Sequence, residues 1–159
     1  MSELRIREAA RVIVVDDDER VLLVRFDLPG EEPVWATVGG GLEPGETYEE
    51  AGRRELAEEA GLEGVELGRP VWTRTHVFEG SRRWDGQTEV FFLVRTPPFE
   101  PLPGQSWEQL NAEYVTAIRW WTLAELERTE ELVAPRRLAE LLRTLLRDGP
   151  PAEPLDVGI

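Results

Sequence analysis

Residues Gly40 to Leu62, GGLEPGETYEEAGRRELAEEAGL, constrain the fold more than any other stretch of this 159-residue chain. A glycine-rich turn leads into a helix that spaces Glu55, Glu58 and Glu59 at i, i+3 and i+4. At 3.6 residues per turn the three side chains share one face, roughly 5–6 Å apart at Cβ. Like charges at these spacings destabilise an isolated helix, so the pattern calls for a positive counterpart. A hard divalent cation takes oxygen ligands of this kind. Taken alone, a Glu-rich stretch is more often the solvated face of an ordinary helix, and its surroundings have to decide.

Those surroundings carry structural instructions. Glu43-Pro44-Gly45-Glu46 reads as a tight turn, with Pro44 fixing φ and Gly45 free to take a positive one. Thr47 followed by Glu50 is a capping box, and Gly61 suits the position just past a helix end, which predicts a helix over 47–60. Ala51 and Leu56 can face a sheet, and Arg54 can reach back to Glu46. Gly52 costs this helix about 1 kcal/mol relative to Ala; it reads either as a point of close backbone approach or as neutral.

Reading outward gives Gly40, five residues, Glu46, seven residues, then Arg54-Glu55-Leu56-Ala57-Glu58-Glu59-Ala60-Gly61-Leu62. This resembles the Nudix (MutT-like) signature at every specified position. Seven fixed letters coincide by chance on the order of once in 10^8 starts at average residue frequencies. Trp35-Ala36-Thr37-Val38-Gly39-Gly40 is similar to the family's lead-in strand, except that Val38 stands where the family more often has Pro. The resemblance implies an α/β (α+β) architecture, a mixed β-sheet sandwiched between α-helices.

Composition frames that expectation. With 41% apolar residues the chain suits one compact domain, expected over 1–148, with 149–159 as a loosely held tail. No apolar run nears the roughly 18 residues that span a bilayer, and no signal pattern opens the chain. There is no cysteine and one histidine, so disulfides, thiolate sites and a zinc centre are disfavoured. These features fit a cytoplasmic protein. A net charge of −14 leaves no basic stripe for a nucleic-acid polymer. It would also repel a polyanionic substrate unless divalent cations neutralise both sides. All basic residues are arginine, which rules out a P-loop lysine.

Along the chain, 7–16 and 20–26 read as a hairpin around Asp17-Asp18-Glu19, and Val34–Val38 as a short strand. Extended runs follow near 65–78 and 87–96, with a loop at Gly80–Gly86 between them. Residues 97–112 read as Pro-rich and irregular, and 113–121 as a strand. A second helix is expected over about 134–147, where Leu138, Leu141, Leu142 and Leu145 form one apolar stripe. Trp120 and Trp121 should point to opposite sheet faces, at least one into the core.

The resemblance also implies chemistry: hydrolysis of a phosphoanhydride bond in a nucleoside diphosphate linked to another moiety, with Mg²⁺ or Mn²⁺. By position, Glu55, Glu58 and Glu59 are the implied metal ligands, with the Gly39 carbonyl as a fourth. A further acid often comes from downstream; Glu113 is the first choice, Glu89 and Glu108 the alternatives. Glu55 and Glu58 are catalytic candidates, and Arg54, paired with Glu46, orients the carboxylates. Arg25 and Arg74 could reach phosphates from strands. Trp107 could stack on a base, although packing under its loop is the commoner role for such a residue. Trp84 with Arg82 and Arg83 reads as a hairpin tip and His76 as a satisfied structural histidine. Substrate tags of the family do not match: Val77 replaces a proline, Phe78-Glu79-Gly80 lacks a tyrosine, and Gln105-Ser106-Trp107 only brushes the motif SQPWPFP. The partner is thus a nucleotide or nucleotide conjugate, and a homodimer is compatible with the family. A Nudix-fold sensor that binds without turnover is the alternative, disfavoured by the intact carboxylates. An isomerase on this fold would lack the cysteine such enzymes use.

Overall fold

The computed structural model describes residues 3–78 and 83–158. Its centre is β1 (Ile6–Asp16), whose AARVIVV run is buried almost throughout. A strand apolar on both faces has to lie between two packed layers, and the sheet is built around that requirement. β2 (Val21–Phe26) meets β1 at the turn, Val15 opposite Val21, and the two then part as β3 (Val34–Gly41) enters between them. The expected β1–β2 hairpin is therefore splayed by a third strand. β5 (Gly86–Thr96) runs parallel to β1 along its whole length, from Ile6 opposite Gly86 to Asp16 opposite Thr96. β4 (Trp72–Val77) pairs with β5, β6 (Val115–Trp121) with β2, and β7 (Leu132–Ala134) with β3. With the two-residue β8 (Leu155–Asp156), the order is β6-β2-β3-β1-β5-β4-β8.

Strand alternation sends two sets of side chains to opposite layers. Ala10, Val12, Val14, Val38 and Phe92 pack under α1 (Tyr48–Glu55) and α2 (Trp107–Ala112), through Ala51, Leu56 and Leu110. Ile13, Val15, Trp35, Phe91 and Trp121 pack under α3 (Leu123–Arg128) and α4 (Leu138–Asp148). The predicted stripe Leu138, Leu141, Leu142 and Leu145 supplies the α4 side of that layer. The mixed sheet is thus sandwiched between helices, as expected. Trp121 is buried in the α4 layer while Trp120 packs toward the α1 layer, its indole N–H on the Phe99 carbonyl.

Five local expectations differ. Residues 97–112 are not irregular throughout: Ser106 and Gln109 form a capping box that starts α2. The run near 65–78 is strand only from Trp72, and the last helix begins at Leu138 instead of about 134. The C-terminal segment is held, with β8 parallel to β4 and Val157 buried. In the expected loop at 80–86, Gly80, Ser81 and Arg82 lie outside the described residues, and Gly86 already belongs to β5.

Candidate active site

The helix begins as its sequence dictates. Thr47 Oγ1 accepts from the Glu50 N–H and the Glu50 carboxylate accepts from the Thr47 N–H, both at 3.1 Å. Gly52 answers its open question: a Cβ there would lie 2.8 Å from Leu67 Cδ1 and 3.3 Å from Val12 Cγ2, so the glycine lets the helix close on the sheet. After Glu55 the coil widens into a π-helical turn, Leu56–Ala60, that ends on Gly61 at φ 72°. Such turns are rare and recur at functional sites. Here the widened backbone hands its carbonyls to the Pro-rich segment. Ala57, Glu58 and Ala60 accept from the N–H groups of Gly104, Gln105 and Leu102 at 3.0, 3.1 and 3.1 Å. A Cβ at Gly104 would stand 2.5 Å from the Ala57 carbonyl, so that approach needs glycine.

Arg54 is the hub of the site. Its Nε and Nη2 donate to the two Glu46 oxygens at 2.8 and 3.0 Å, a bidentate fork. Its Nη1 donates to Glu55 Oε1 at 2.9 Å and Glu58 Oε2 at 3.2 Å, and Nη2 also donates to the Gly41 carbonyl at 2.9 Å. One guanidinium therefore ties the turn, the end of β3 and two helix carboxylates into one unit.

Glu59 is held separately. It is 2% exposed, and its Oε1 accepts from the Gly39 N–H at 2.8 Å. Burial and the neighbouring Glu55 charge push its carboxyl well above the ordinary carboxylate range. Burial also raises Glu55 and Glu58, against the opposing pull of Arg54. Glu113, just past α2, adds repulsion to all three, which places it in the same field.

Among the described residues no three acidic or histidine side chains converge as a ready metal cage. The reason is visible: Arg54 draws Glu46, Glu55 and Glu58 onto itself, and Gly39 holds one oxygen of Glu59. The donor set nonetheless fits a hard divalent ion. It is all oxygen, it carries excess negative charge at partly buried positions, and a Cβ at Gly40 would fall 2.6 Å from Glu55 Oε1, so the backbone itself cradles that carboxylate.

The remaining candidates divide. Glu113, which adds repulsion to the carboxylates, and Glu108, in the first turn of α2, are both exposed. Glu89 is buried between Arg11 and Arg74, which leaves it saturated. Arg74 is itself buried, on Glu89 and the Gly158 carbonyl, and is not brought to the carboxylates. Arg25 lies opposite Trp35 on β3, and its Nε is buried without a hydrogen-bond partner among the described residues. Trp35 Nε1 and Thr37 Oγ1, which alternate onto one face of β3, are orphaned in the same way. Trp107 is 46% exposed at the start of α2 instead of packed beneath its loop. His76 lies beside Phe78, ring centroids 5.2 Å apart and planes tilted by 54°, and its Nδ1 has no partner among the described residues, so it is not the satisfied histidine expected.

Two arginines escaped the sequence reading because β1 scans as a core strand. Arg7 donates to Gln87 Oε1 at 2.9 Å and lies against Gly41, where a Cβ would come within 2.6 Å of its Nη2. Burial and the nearby Arg11 charge lower its pKa, and Glu55 opposes them. A charged residue interrupting the apolar run from Ala9 to Val15 is the signal that could have found Arg11; Arg7, between Ile6 and Glu8, carries no such mark. Arg7, Gly41, Glu46 and Trp84 help line a cleft of about 470 Å³ that opens beside Arg54.

Comparison with known proteins bears on the fold and the family. The model of the NUDIX domain matches residues 5–145. An RNA pyrophosphohydrolase of Caulobacter vibrioides is 34% identical over 134 residues, 78% of this chain and 74% of its own length. The nucleoside triphosphatase NudI of Escherichia coli is 38% identical over 66 residues, 42% of this chain and 45% of its own. The crystal structure of a MutT protein from Methanosarcina mazei superposes with a TM-score of 0.67 at 16% identity, over 93% of this chain and 98% of that one, and shows the shared fold. With the NUDIX model matching residues 5–145 and the signature residues gathered around Arg54, the chain belongs to the Nudix family and is a Nudix pyrophosphohydrolase.

Proposed function

We propose that the protein hydrolyses a phosphoanhydride bond in a nucleoside diphosphate linked to another moiety, a nucleoside triphosphate or a nucleotide sugar, with Mg²⁺ or Mn²⁺. The observation that carries this reading is the Arg54 hub: one arginine gathers Glu46, Glu55 and Glu58 beside the buried Glu59. Glu55, Glu58 and Glu59 would hold the ion, with the Gly39 carbonyl and Glu113 completing its shell. A divalent ion bound there neutralises phosphate oxygens and lowers the pKa of water.

The chain's own groups do the rest. Arg54 keeps Glu46, Glu55 and Glu58 from drifting apart, and its rigid fork suits this better than a lysine would. Glu55, and after it Glu58, would accept the proton of the attacking water; burial raises both carboxyls above the ordinary carboxylate value. Arg25, with its orphaned Nε, steadies phosphate from the sheet, and exposed Trp107 offers a face for a base. Arg74, buried on Glu89, is a weaker substrate contact than the sequence suggests. The substrate is a free nucleotide in the cytosol, in keeping with the net charge of −14. The relative named RNA pyrophosphohydrolase makes triphosphorylated RNA the second reading.

The test is phosphate or pyrophosphate release from nucleoside triphosphates, nucleotide sugars and 5′-triphosphorylated RNA, with Mg²⁺, Mn²⁺ or chelator. Metal-dependent release that disappears in Glu58→Gln and Glu59→Gln is expected. A wild type that binds nucleotides but releases nothing under any condition would make the protein a sensor.

A further inference from the structure

A second ionic cluster lies outside the reaction described above. Arg11 on β1, Glu89 on β5 and Arg74 on β4 are 8%, 3% and 7% exposed. The strand registers bring them together: Arg74 stands opposite Glu89, and Ala9, two residues before Arg11, stands opposite Glu89 on the other side. Arg11 Nε donates to Glu89 Oε2 at 2.6 Å, and Arg74 Nη1 donates to Oε1. Arg74 Nε donates onward to the Gly158 carbonyl at 2.9 Å. Two buried guanidinium groups against one carboxylate leave an excess positive charge, which a cluster serving stability alone has no need to carry.

Arg11 connects this cluster to the carboxylates. It lies opposite Gly39 in the β1–β3 ladder, and its Nη1 donates to the Thr37 carbonyl at 3.4 Å. A Cβ at Gly39 would stand 2.9 Å from Arg11 Cδ and 2.1 Å from the Ala10 carbonyl, so the β3 backbone is pressed against the arginine stem. Gly39 has φ 151°, a conformation that other residues rarely adopt. From that position its N–H reaches Glu59 Oε1 at 2.8 Å.

We propose that Arg11, anchored by Glu89 and Arg74, is a positioning residue: it fixes Gly39 and, through the Gly39 N–H, orients the Glu59 carboxylate for a divalent cation. The inference rests on the metal-dependent reading given above. It also gives the C-terminal segment a place in the site, because the Gly158 carbonyl accepts from Arg74 Nε and Val157 anchors that segment in the α4 layer. The path runs from Gly158 through Arg74, Glu89, Arg11 and Gly39 to Glu59, and every link is a hydrogen bond or a backbone contact.

The experiment is Mn²⁺ titration followed by electron paramagnetic resonance on the full chain, with circular dichroism melts to establish folding. Wild type, Glu89→Gln, Arg11→Lys, Arg74→Gln and Glu59→Gln are compared. Glu89→Gln unties Arg11 and should raise the Kd for Mn²⁺ about tenfold or more, with KM for substrate at saturating Mn²⁺ little changed. Arg11→Lys should move it the same way, because an ammonium cannot serve Glu89 and Thr37 as a fork does. Arg74→Gln keeps the Arg11–Glu89 pair and should have the smallest effect. Added to Glu59→Gln, Glu89→Gln should weaken Mn²⁺ by less than about 2-fold further, since the path ends at Glu59. Should Glu89→Gln not fold, Arg11→Lys alone decides. Unchanged Mn²⁺ affinity in a folded Glu89→Gln or Arg11→Lys, or losses that multiply fully with Glu59→Gln, overturn the proposal. Wild type that binds no Mn²⁺ removes the metal reading and this proposal together; wild type that binds it beside indifferent variants removes the proposal only.

Discussion

Two charge clusters flank the glycine end of β3, and they are built on opposite plans. Around Arg54, a single guanidinium faces Glu46, Glu55 and Glu58, with Glu59 and Glu113 in the same field; the group is partly open and carries excess negative charge. Around Glu89, a single carboxylate faces Arg11 and Arg74, and the group is closed from solvent. In the closed cluster each oxygen of Glu89 has its own arginine, so the one carboxylate is answered within the fold. In the open cluster the arginine cannot answer all the carboxylates, and burial pushes three of them upward in pKa. The difference teaches where the fold is complete and where it awaits a cation.

Removing one member should therefore have opposite consequences. Glu89→Leu leaves two buried arginines without their carboxylate and should cost about 3–5 kcal/mol in urea unfolding. Glu58→Gln should leave metal-free stability unchanged or higher, while turnover falls by about 10²–10³. Next in size is Arg54→Lys, which keeps the charge and loses the fork; kcat/KM should fall by about 10- to 100-fold with the melting curve little altered.

The pH dependence should separate the clusters by sign. Burial alone would raise Glu89, but Arg11 and Arg74 outweigh it and hold it below the ordinary 4.5. Its contribution to stability is present above 4.5 and is lost as pH falls through the depressed value. Glu55, Glu58 and Glu59 sit above 4.5, so their favourable state is the protonated one, and stability in chelator should be lost as pH rises through their raised values. Urea midpoints from pH 3 to 8 in chelator check both: Glu89→Gln should flatten the acid limb and Glu59→Gln the rising limb. The smallest effect is expected for Gly52→Ala, where a helix gain of about 1 kcal/mol is offset by contact with the movable end of Leu67. Its urea midpoint should stay within about 1 kcal/mol of wild type.

Much of the open cluster was legible because its information is local. The turn, the capping box and the i, i+3, i+4 carboxylates lie within one short stretch, and the Arg54–Glu46 contact spans only eight residues of it. The widened turn at Leu56–Ala60 was not, because it depends on Leu102, Gly104 and Gln105 arriving from elsewhere to take its carbonyls. The closed cluster was illegible for the same reason. Arg11, Arg74 and Glu89 lie on three strands whose registers no local pattern encodes, so Glu89 read as a metal candidate and Arg74 as a phosphate contact. α2 was legible and overlooked: Ser106 and Gln109 spell its capping box, but the prolines before them dominated the reading. β8 carries no pattern of its own and exists because β4 offers an edge.

The most direct test of the central claim is a melting curve recorded in chelator and in excess Mn²⁺. The account predicts that Mn²⁺ at a hundredfold excess over its Kd stabilises the wild type by about 2.7 kcal/mol, a rise of roughly 5–10 °C in Tm. It predicts no rise when Glu55→Gln, Glu58→Gln and Glu59→Gln are combined. An equal rise in the combined variant, or none in the wild type, would contradict it.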